Sequence, residues 1–592
     1  MYLRSRKRVM ALVVILGIFA AGFLLRLVDV QVVRASEINS EASARRSNET
    51  TLYGTRGAIV DRSGAILASS VMKYDITASP KNARDFVRTN SDGSTTKVTR
   101  AEAAAELGAA LGMTGPQVLA ILDDALAKDQ ASDFAYIAKE VSVETYEAVE
   151  KLGIPWQWSQ RHPSRVYPNG AVAGNLIGYF GSDGEALAGL ELTQDSCLAA
   201  SDGVESSLVS GDGSGVIIPG STVVEQPAVN GGTVQLTIDA NLQWFAQSVA
   251  AAQVANTGAK WATVVVQEVK TGKLLAVVDV PTVDPNNVDG TSAENRGSRA
   301  FSAPYEPGST FKSITSASVL DAGVANPTDQ VVAPYRITRE DGAININDSA
   351  RHADENLTLA GVLVQSSNTG MSQFGEKLSS EQRYNYITNF GFGAVSEVDF
   401  LGESAGILND WRDWDGQTNY TTMFGQGLAT TAIQMASAYQ TIANHGVRMP
   451  VQLVSGCTTP DGTFVPTKVG KGRQVISASA ADRTTNMLEQ VYTKGWLAKK
   501  WNVPGYRVAT KTGTAQVPDG NGGYQSGFLV SVAGFAPADD PQYVVSVSIM
   551  DPRLLNSSAA SAPVFQQIMS EVLKQNRIVP SGSTAPDIAT TW

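Results

Sequence analysis

Trp261-Ala-Thr-Val-Val-Val-Gln-Glu-Val269, Lys270-Thr-Gly-Lys273 and Leu274-Leu-Ala-Val-Val-Asp-Val280 are two apolar, β-branched runs joined by a short polar turn. That composition predicts a β-hairpin. Just upstream, Val234-Gln-Leu-Thr-Ile238 reads as a strand, and Asp239 is placed to cap a helix over Ala240–Ala252. Far downstream, Val508–Thr510, Phe528–Phe535 and Tyr543–Ile549 are further β-runs, and Pro563–Leu573 reads as a closing helix with proline at its first position. A long helical and loop section lies between the two sets. Strands at both ends with helices between them indicate an α+β domain whose terminal helices cover one antiparallel sheet.

Working outward, the 592 residues exceed one hydrophobic core and call for two or more domains. Hydrophobic content of 43% and charged content of 17% fit a globular chain. The net charge of −11 argues against nucleic acid as a partner, because a polyanion needs a basic face. The basic exception is the N-terminus, with Arg4, Arg6, Lys7 and Arg8. An uncharged run, Val9–Leu25, follows and spans about 26 Å as a helix; Leu27 and Val28 extend it if Arg26 snorkels toward the headgroups. The run outlasts a signal-peptide core and no small-x-small cleavage site follows Phe23-Leu24-Leu25, so an uncleaved anchor is expected. The basic flank places the N-terminus in the cytoplasm and the rest outside, in a single-pass topology.

The expected division is a cytoplasmic tail over 1–8, an anchor over 9–28, a mixed α/β pedestal over 29–232, a catalytic domain over 233–578, and a flexible polar tail over 579–592. Within the pedestal, Arg34–Thr50 reads as a helical stalk, 51–80 as β-rich, 101–153 as helical with stops at Gly108, Gly112 and Gly153, and Gly181–Gly231 as loop-rich. Two distant thiols, Cys197 and Cys457, make no disulfide framework and are expected to be buried or unpaired, although an exported location permits pairing. Neither has a partner at metal-ligand spacing.

The chemistry is carried by three short motifs in order. Ser309-x-x-Lys312 follows Glu306-Pro307-Gly308 at the mouth of a helix, where spacing i, i+3 puts a nucleophile and a base on one face. Ser366-Ser367-Asn368 follows the apolar Leu357–Val364, and Lys511-Thr512-Gly513 continues the β-run ending at Thr510, with Thr514-Ala515-Gln516 as an edge-strand-like extension. Two decoys exist. Ser70-x-x-Lys73 lies in an extended segment, where i and i+3 face opposite ways, and Lys270-Thr271-Gly272 fits the hairpin turn. The three histidines, His162, His352 and His445, flank no motif and read as ordinary surface or core residues, which leaves lysine as the base. Holding a lysine neutral at pH 7 costs about 4.6 kcal/mol unless a dry pocket and a second cation help.

Together these motifs match the set that marks penicillin-binding proteins and serine β-lactamases. Arg56-Gly-x-Ile-x-Asp61-Arg62-x-Gly64, Arg165-x-Tyr167-Pro168-x-Gly170, Gly189-Leu-Glu191, Leu236-Thr-Ile-Asp239, Asn295-Arg296, Glu306-Pro-Gly308 and Phe424-Gly-Gln-Gly427 extend the resemblance to class B penicillin-binding proteins over residues 9 to about 575. Arg26-Leu27-x-x-Val30-Gln31 resembles the septal branch, and no glycosyltransferase signature precedes residue 233.

The resemblance implies a D,D-transpeptidase that cross-links peptidoglycan stem peptides ending in D-Ala-D-Ala and is inhibited by β-lactams. By it, Ser309 attacks the penultimate D-alanine carbonyl with Lys312 as base, Ser366 passes a proton to the leaving group, and Asn368 holds the substrate amide and Lys312. Lys511, Thr512, Gly513 and Thr514 bind the terminal carboxylate, and the N–H groups of Ser309 and Thr514 form an oxyanion hole. No metal or cofactor is expected. Implied partners are a membrane glycosyltransferase and divisome proteins. The competing readings are an elongation-type transpeptidase, a carboxypeptidase or β-lactamase-like hydrolase, and a non-catalytic scaffold or sensor. The long region before 233 speaks against a simple β-lactamase, and the intact motif set against a dead scaffold.

Overall fold

The computed structural model describes residues 2–90, 92–181, 184–209, 218–518 and 523–592. Tyr2–Val28 is one helix, and Arg6–Val33 is long and apolar enough to cross a membrane. Its apolar side chains, Leu12 and Phe19 among them, are exposed. The chain sorts into two compact units. One holds residues up to Thr55, Lys73–Pro163 and Ala200–Asn230; the other holds Arg56–Met72, Ser164–Ala199 and Gly231–Trp592.

In the first unit, Ser47–Leu52, Gly203–Leu208 and Val223–Gln226 pair antiparallel. A separate small core gathers Ala104 and Leu107 from helix Arg100–Leu111, and Val118 and Leu122 from helix Gly115–Lys128, around Ile76, Ile137 and Trp156. Thr99 and Glu102 close a capping box at the start of the first helix, and Gly112 ends it in the left-handed region. The sequence read 101–153 as helical between its glycine stops; instead Ala135–Val141 is a strand paired with Tyr74–Ala78, because Ala135 and Ile137 alternate inward and Ile137 joins the core built by those helices. Of the loop-rich Gly181–Gly231, residues 182–183 and 210–217 lie outside the described residues.

The second unit is built on five antiparallel strands: β1 (Trp261–Glu268), β2 (Leu274–Val280), β3 (Ala509–Pro518), β4 (Tyr524–Ala536) and β5 (Tyr543–Met550), in the order β2-β1-β5-β4-β3. The predicted hairpin is β1–β2, with Lys270-Thr271-Gly272 in its turn. Seven helices of this unit bear on the sheet and the site: α1 (Ala240–Thr257), α2 (Lys312–Asp321), α3 (Leu359–Gln365), α4 (Asn368–Gly375), α5 (Ala432–Ala443), α6 (Ala478–Lys494) and α7 (Ala562–Gln575). Asp239 caps α1 by accepting from Asn241 and Leu242 N–H at 3.1 and 3.0 Å. Strand alternation divides the core. Val264, Val266, Val545 and Val547 pack with Leu242 and Ala246 of α1 and Phe565 and Ile568 of α7. Val265, Ala533 and Val544 point the other way, toward a core that contains Ile433, Ala436 and Tyr439 of α5. Every residue of α5 is buried. A sheet covered on both faces explains why its strands read as near-continuous apolar runs.

Two expectations are corrected by the fold. Cys197 and Cys457 form a disulfide with a Cα–Cα distance of 6.2 Å, although 260 residues separate them. Strand Thr233–Leu236 pairs Val234 with Cys457, and Gly232 N–H donates to the Cys197 carbonyl at 2.7 Å, so the topology closes what sequence distance concealed. The tail expected to be flexible is hydrogen-bonded to the domain. Thr590 O accepts from Thr358 N–H at 3.2 Å, Ala589 O from Thr358 Oγ1 at 2.7 Å, and Pro586 O from Gln490 Nε2. Hydrogen bonding to backbone carbonyls needs no apolar pattern, which is why a polar composition hid it.

Candidate active site

Ser309 lies on a 3-10 turn, Gly308–Phe311, that runs directly into α2, where Lys312 is the first residue. The turn aligns the two side chains, and Lys312 Nζ donates to Ser309 Oγ at 3.1 Å. The turn is held from below by buried Tyr439 of α5, whose hydroxyl donates to the Thr310 carbonyl at 2.8 Å and also lies 2.8 Å from Ser313 Oγ. Glu306 fixes the approach from the other side, accepting from Gly427 N–H at 2.8 Å.

Ser366 ends α3 in the left-handed region, with φ +59°. A serine there carries local strain that the surrounding caps offset: Thr358 caps α3 and Ser367 caps α4. The resulting corner aims both oxygens of Ser366 at the lysines. Lys312 Nζ donates to the Ser366 carbonyl and lies 3.4 Å from Ser366 Oγ; Lys511 Nζ donates to the same hydroxyl at 2.9 Å. One hydroxyl thus bridges two fully buried amines. Burial pulls Lys312 down to about 7, with the Asp348 carboxylate acting in the opposite direction. Burial also drives Lys511 well below the ordinary lysine value, and repulsion from Lys312 adds to it. A Lys312 near neutrality is a base that is half free at pH 7, as a serine nucleophile requires.

Lys511, Thr512, Gly513 and Thr514 lie on β3, the sheet edge. A glycine in an edge strand permits close approach of another chain segment, and at Gly513 the protein's own serine turn takes that approach. A Cβ there would run into Ser531 Oγ and stand 3.0 Å from Thr310 Cγ2 and 3.2 Å from the Pro307 carbonyl, so the glycine lets β3 pack against the serine turn. Asn368 differs from expectation. Its Nδ2 donates to the Asn347 carbonyl at 2.8 Å, and it is the Ser366 carbonyl that holds Lys312.

Ser309, Ser366, Asn368, Thr512, Gly513 and Thr514 line one cavity of about 330 Å³, closed further by Phe424, Gln426, Trp496 and Asn556–Ser558. The decoy Ser70 sits inside strand Ile66–Ala78, its hydroxyl donating to the Arg56 carbonyl at 3.1 Å. His445 lies 2.7 Å from Asp482 and His162 3.2 Å from Asp75, both occupied elsewhere. Sequence reasoning missed Tyr439, Trp496 and Asp348. None lies inside a motif, and only the fold brings them to it.

Two family models match the chain: the penicillin binding protein transpeptidase domain over residues 262–570 and the penicillin-binding protein dimerisation domain over 51–236. The chain is 32% identical to penicillin-binding protein PbpB of Mycolicibacterium smegmatis, over 99% of this chain and 92% of that one. It is 31% identical to peptidoglycan D,D-transpeptidase FtsI of Escherichia coli, over 96% of this chain and 92% of that one. Among solved structures, a peptidoglycan synthetase from Bifidobacterium adolescentis superposes with a TM-score of 0.71 at 30% identity, covering 92% of this chain and 100% of that one. Penicillin-binding protein 3 of Mycobacterium tuberculosis complexed with ampicillin gives 0.69 at 26% identity, covering 92% and 100%.

Proposed function

The chain belongs to the penicillin-binding protein transpeptidase family, and from that membership we propose that Ser309 is its acylated nucleophile and Lys312 its base. It is a peptidoglycan D,D-transpeptidase of the class B type, and the septal relatives point to cell division as its setting. The observation that carries the residue assignment is the pair of short amine contacts, Lys312 to Ser309 at 3.1 Å and Lys511 to Ser366 at 2.9 Å, inside one cavity.

The neutral Lys312 amine takes the Ser309 proton as Oγ attacks the carbonyl of the penultimate D-alanine. The Ser309 and Thr514 N–H groups stabilise the oxyanion. Ser366, bridging both lysines, passes that proton to the departing D-alanine nitrogen. The acyl-enzyme then yields its acyl group to an amine of a neighbouring stem peptide, whose lost proton returns along the same path while Ser309 is released. Lys511, Thr512 and Thr514 take the terminal carboxylate, and Asn368 the substrate amide.

For the architecture we propose that 233–578 carries catalysis on a pedestal spanning 29–232, with 1–8 cytoplasmic on the strength of Arg6, Lys7 and Arg8 at the N-terminal end of the apolar helix. A glycosyltransferase in the membrane and other division proteins are the proposed partners. The test is covalent labelling with a fluorescent penicillin: Ser309→Ala abolishes it and Ser70→Ala leaves it intact. Labelling that survives Ser309→Ala removes the assignment.

A further inference from the structure

Behind the corner that presents Ser366, a carboxylate outside all three motifs collects a ring of donors, the Thr369 hydroxyl at 3.4 Å among them. Asp348 Oδ1 accepts from Asn368 N–H and, at 3.1 Å, from Thr369 N–H, which are the first two amides of α4. Its Oδ2 accepts from Ser367 Oγ at 2.7 Å and lies 3.0 Å from His352 Nε2. The Asp348 side chain is 8% exposed, so nearly all of its hydrogen bonding is supplied by these groups. The other His352 nitrogen, Nδ1, lies 2.7 Å from the Ala353 carbonyl. Both ring nitrogens therefore face acceptors, which calls for an imidazolium, and the Ala353 bond followed by Asp348 raises His352 above its ordinary value. The neighbouring carbonyl, Asn347 O, takes the Asn368 side chain at 2.8 Å. One two-residue step thus clasps Ser367, Asn368 and Thr369, the residues directly after Ser366.

We propose that Asp348, held on its outer side by His352, is a positioning residue for acylation, fixing the start of α4 so that Ser366 stays against Lys312, and lending that amine a counter-charge. This rests on Lys312 being the base. The charged groups concerned are Lys312 and Lys511 across the corner, and Arg351, His352 and Glu355 in Asp348's own segment. Asp348 acts to raise Lys312, against the larger effect of burial. Removing its charge therefore frees the amine at lower pH. Asp348→Asn keeps an acceptor for the two α4 amides and removes the charge; Asp348→Ala removes both.

The experiment is the pH profile of the acylation rate by a fluorescent penicillin, on the full-length protein in detergent. The acid limb moves to lower pH in Asp348→Asn, whereas Asp348→Ala slows acylation on the order of 10²-fold through misplacement of Ser366. A merely structural residue would change the melting temperature and leave the limb in place. An Asp348→Asn profile that superimposes on wild type overturns the proposal, even if Asp348→Ala fails to fold. A wild-type profile with no acid limb near pH 7 removes Lys312 as base, and the proposal with it.

Discussion

Lys312 Nζ stands 3.1 Å from Ser309 Oγ while its own side chain is wholly buried, so the site holds its base dry and in contact with its nucleophile. A lysine brought from 10.5 to about 7 by burial has a measurable consequence for both rate and stability.

The rate should follow the free amine. Acylation rises with pH through about 7 and falls about tenfold per pH step well below it, because only unprotonated Lys312 accepts the serine proton. Stopped-flow acylation across pH 5 to about 9 checks this. A flat profile contradicts it.

Stability moves with pH in the same direction as the rate, because burying a charged Lys312 is what costs the fold. Folded Lys312 loses its proton near 7 and the unfolded residue near 10.5, so between those values the unfolded chain binds more protons and stability rises with pH. Below about 7 the penalty is complete, on the order of 4–5 kcal/mol. Lys312→Met should therefore lose acylation by about 10²–10⁴-fold yet melt higher than wild type, most clearly at acidic pH. Thermal melts at several pH values read this out.

Gly513→Ala should damage packing rather than substrate contact. The added methyl meets Ser531 Oγ and the serine turn, a cost of about 1–3 kcal/mol. Because Ser531 Oγ is buried without a partner, the double variant with Ser531→Ala should regain part of the lost melting temperature and acylation. No recovery would place the glycine's role elsewhere.

The chain's C-terminus should matter to the site. Ala589 and Thr590, close to its end, bond to Thr358, which caps α3, and α3 ends on Ser366; a Cβ on Gly361 would coincide with the Thr590 carbonyl. A stop after Ala585 should lower the melting temperature and slow acylation together. A truncated protein with wild-type values for both would show the segment to be idle.

Much of this was legible where the signal was local. The β1–β2 hairpin, the Asp239 cap, the edge placement of Lys511 and the dismissal of Ser70 all follow from short-range periodicity and turn chemistry. What escaped depends on long-range topology. Cys197 meets Cys457 only because strand Thr233–Leu236 lies alongside, and Asp348 reaches Asn368 from 20 residues upstream with no pattern linking them. Strand Ala135–Val141 hid among alanine-rich helices, and the polar tail gave no hint of the hydrogen bonds its carbonyls accept.

The central claim is that one serine is acylated, and peptide mapping by mass spectrometry after exposure to a penicillin addresses it most directly. The expected result is a single adduct on Ser309, absent in Ser309→Ala and slow to form in Lys312→Met. An adduct on Ser70, Ser366 or any other residue, with Ser309 unmodified, would contradict it.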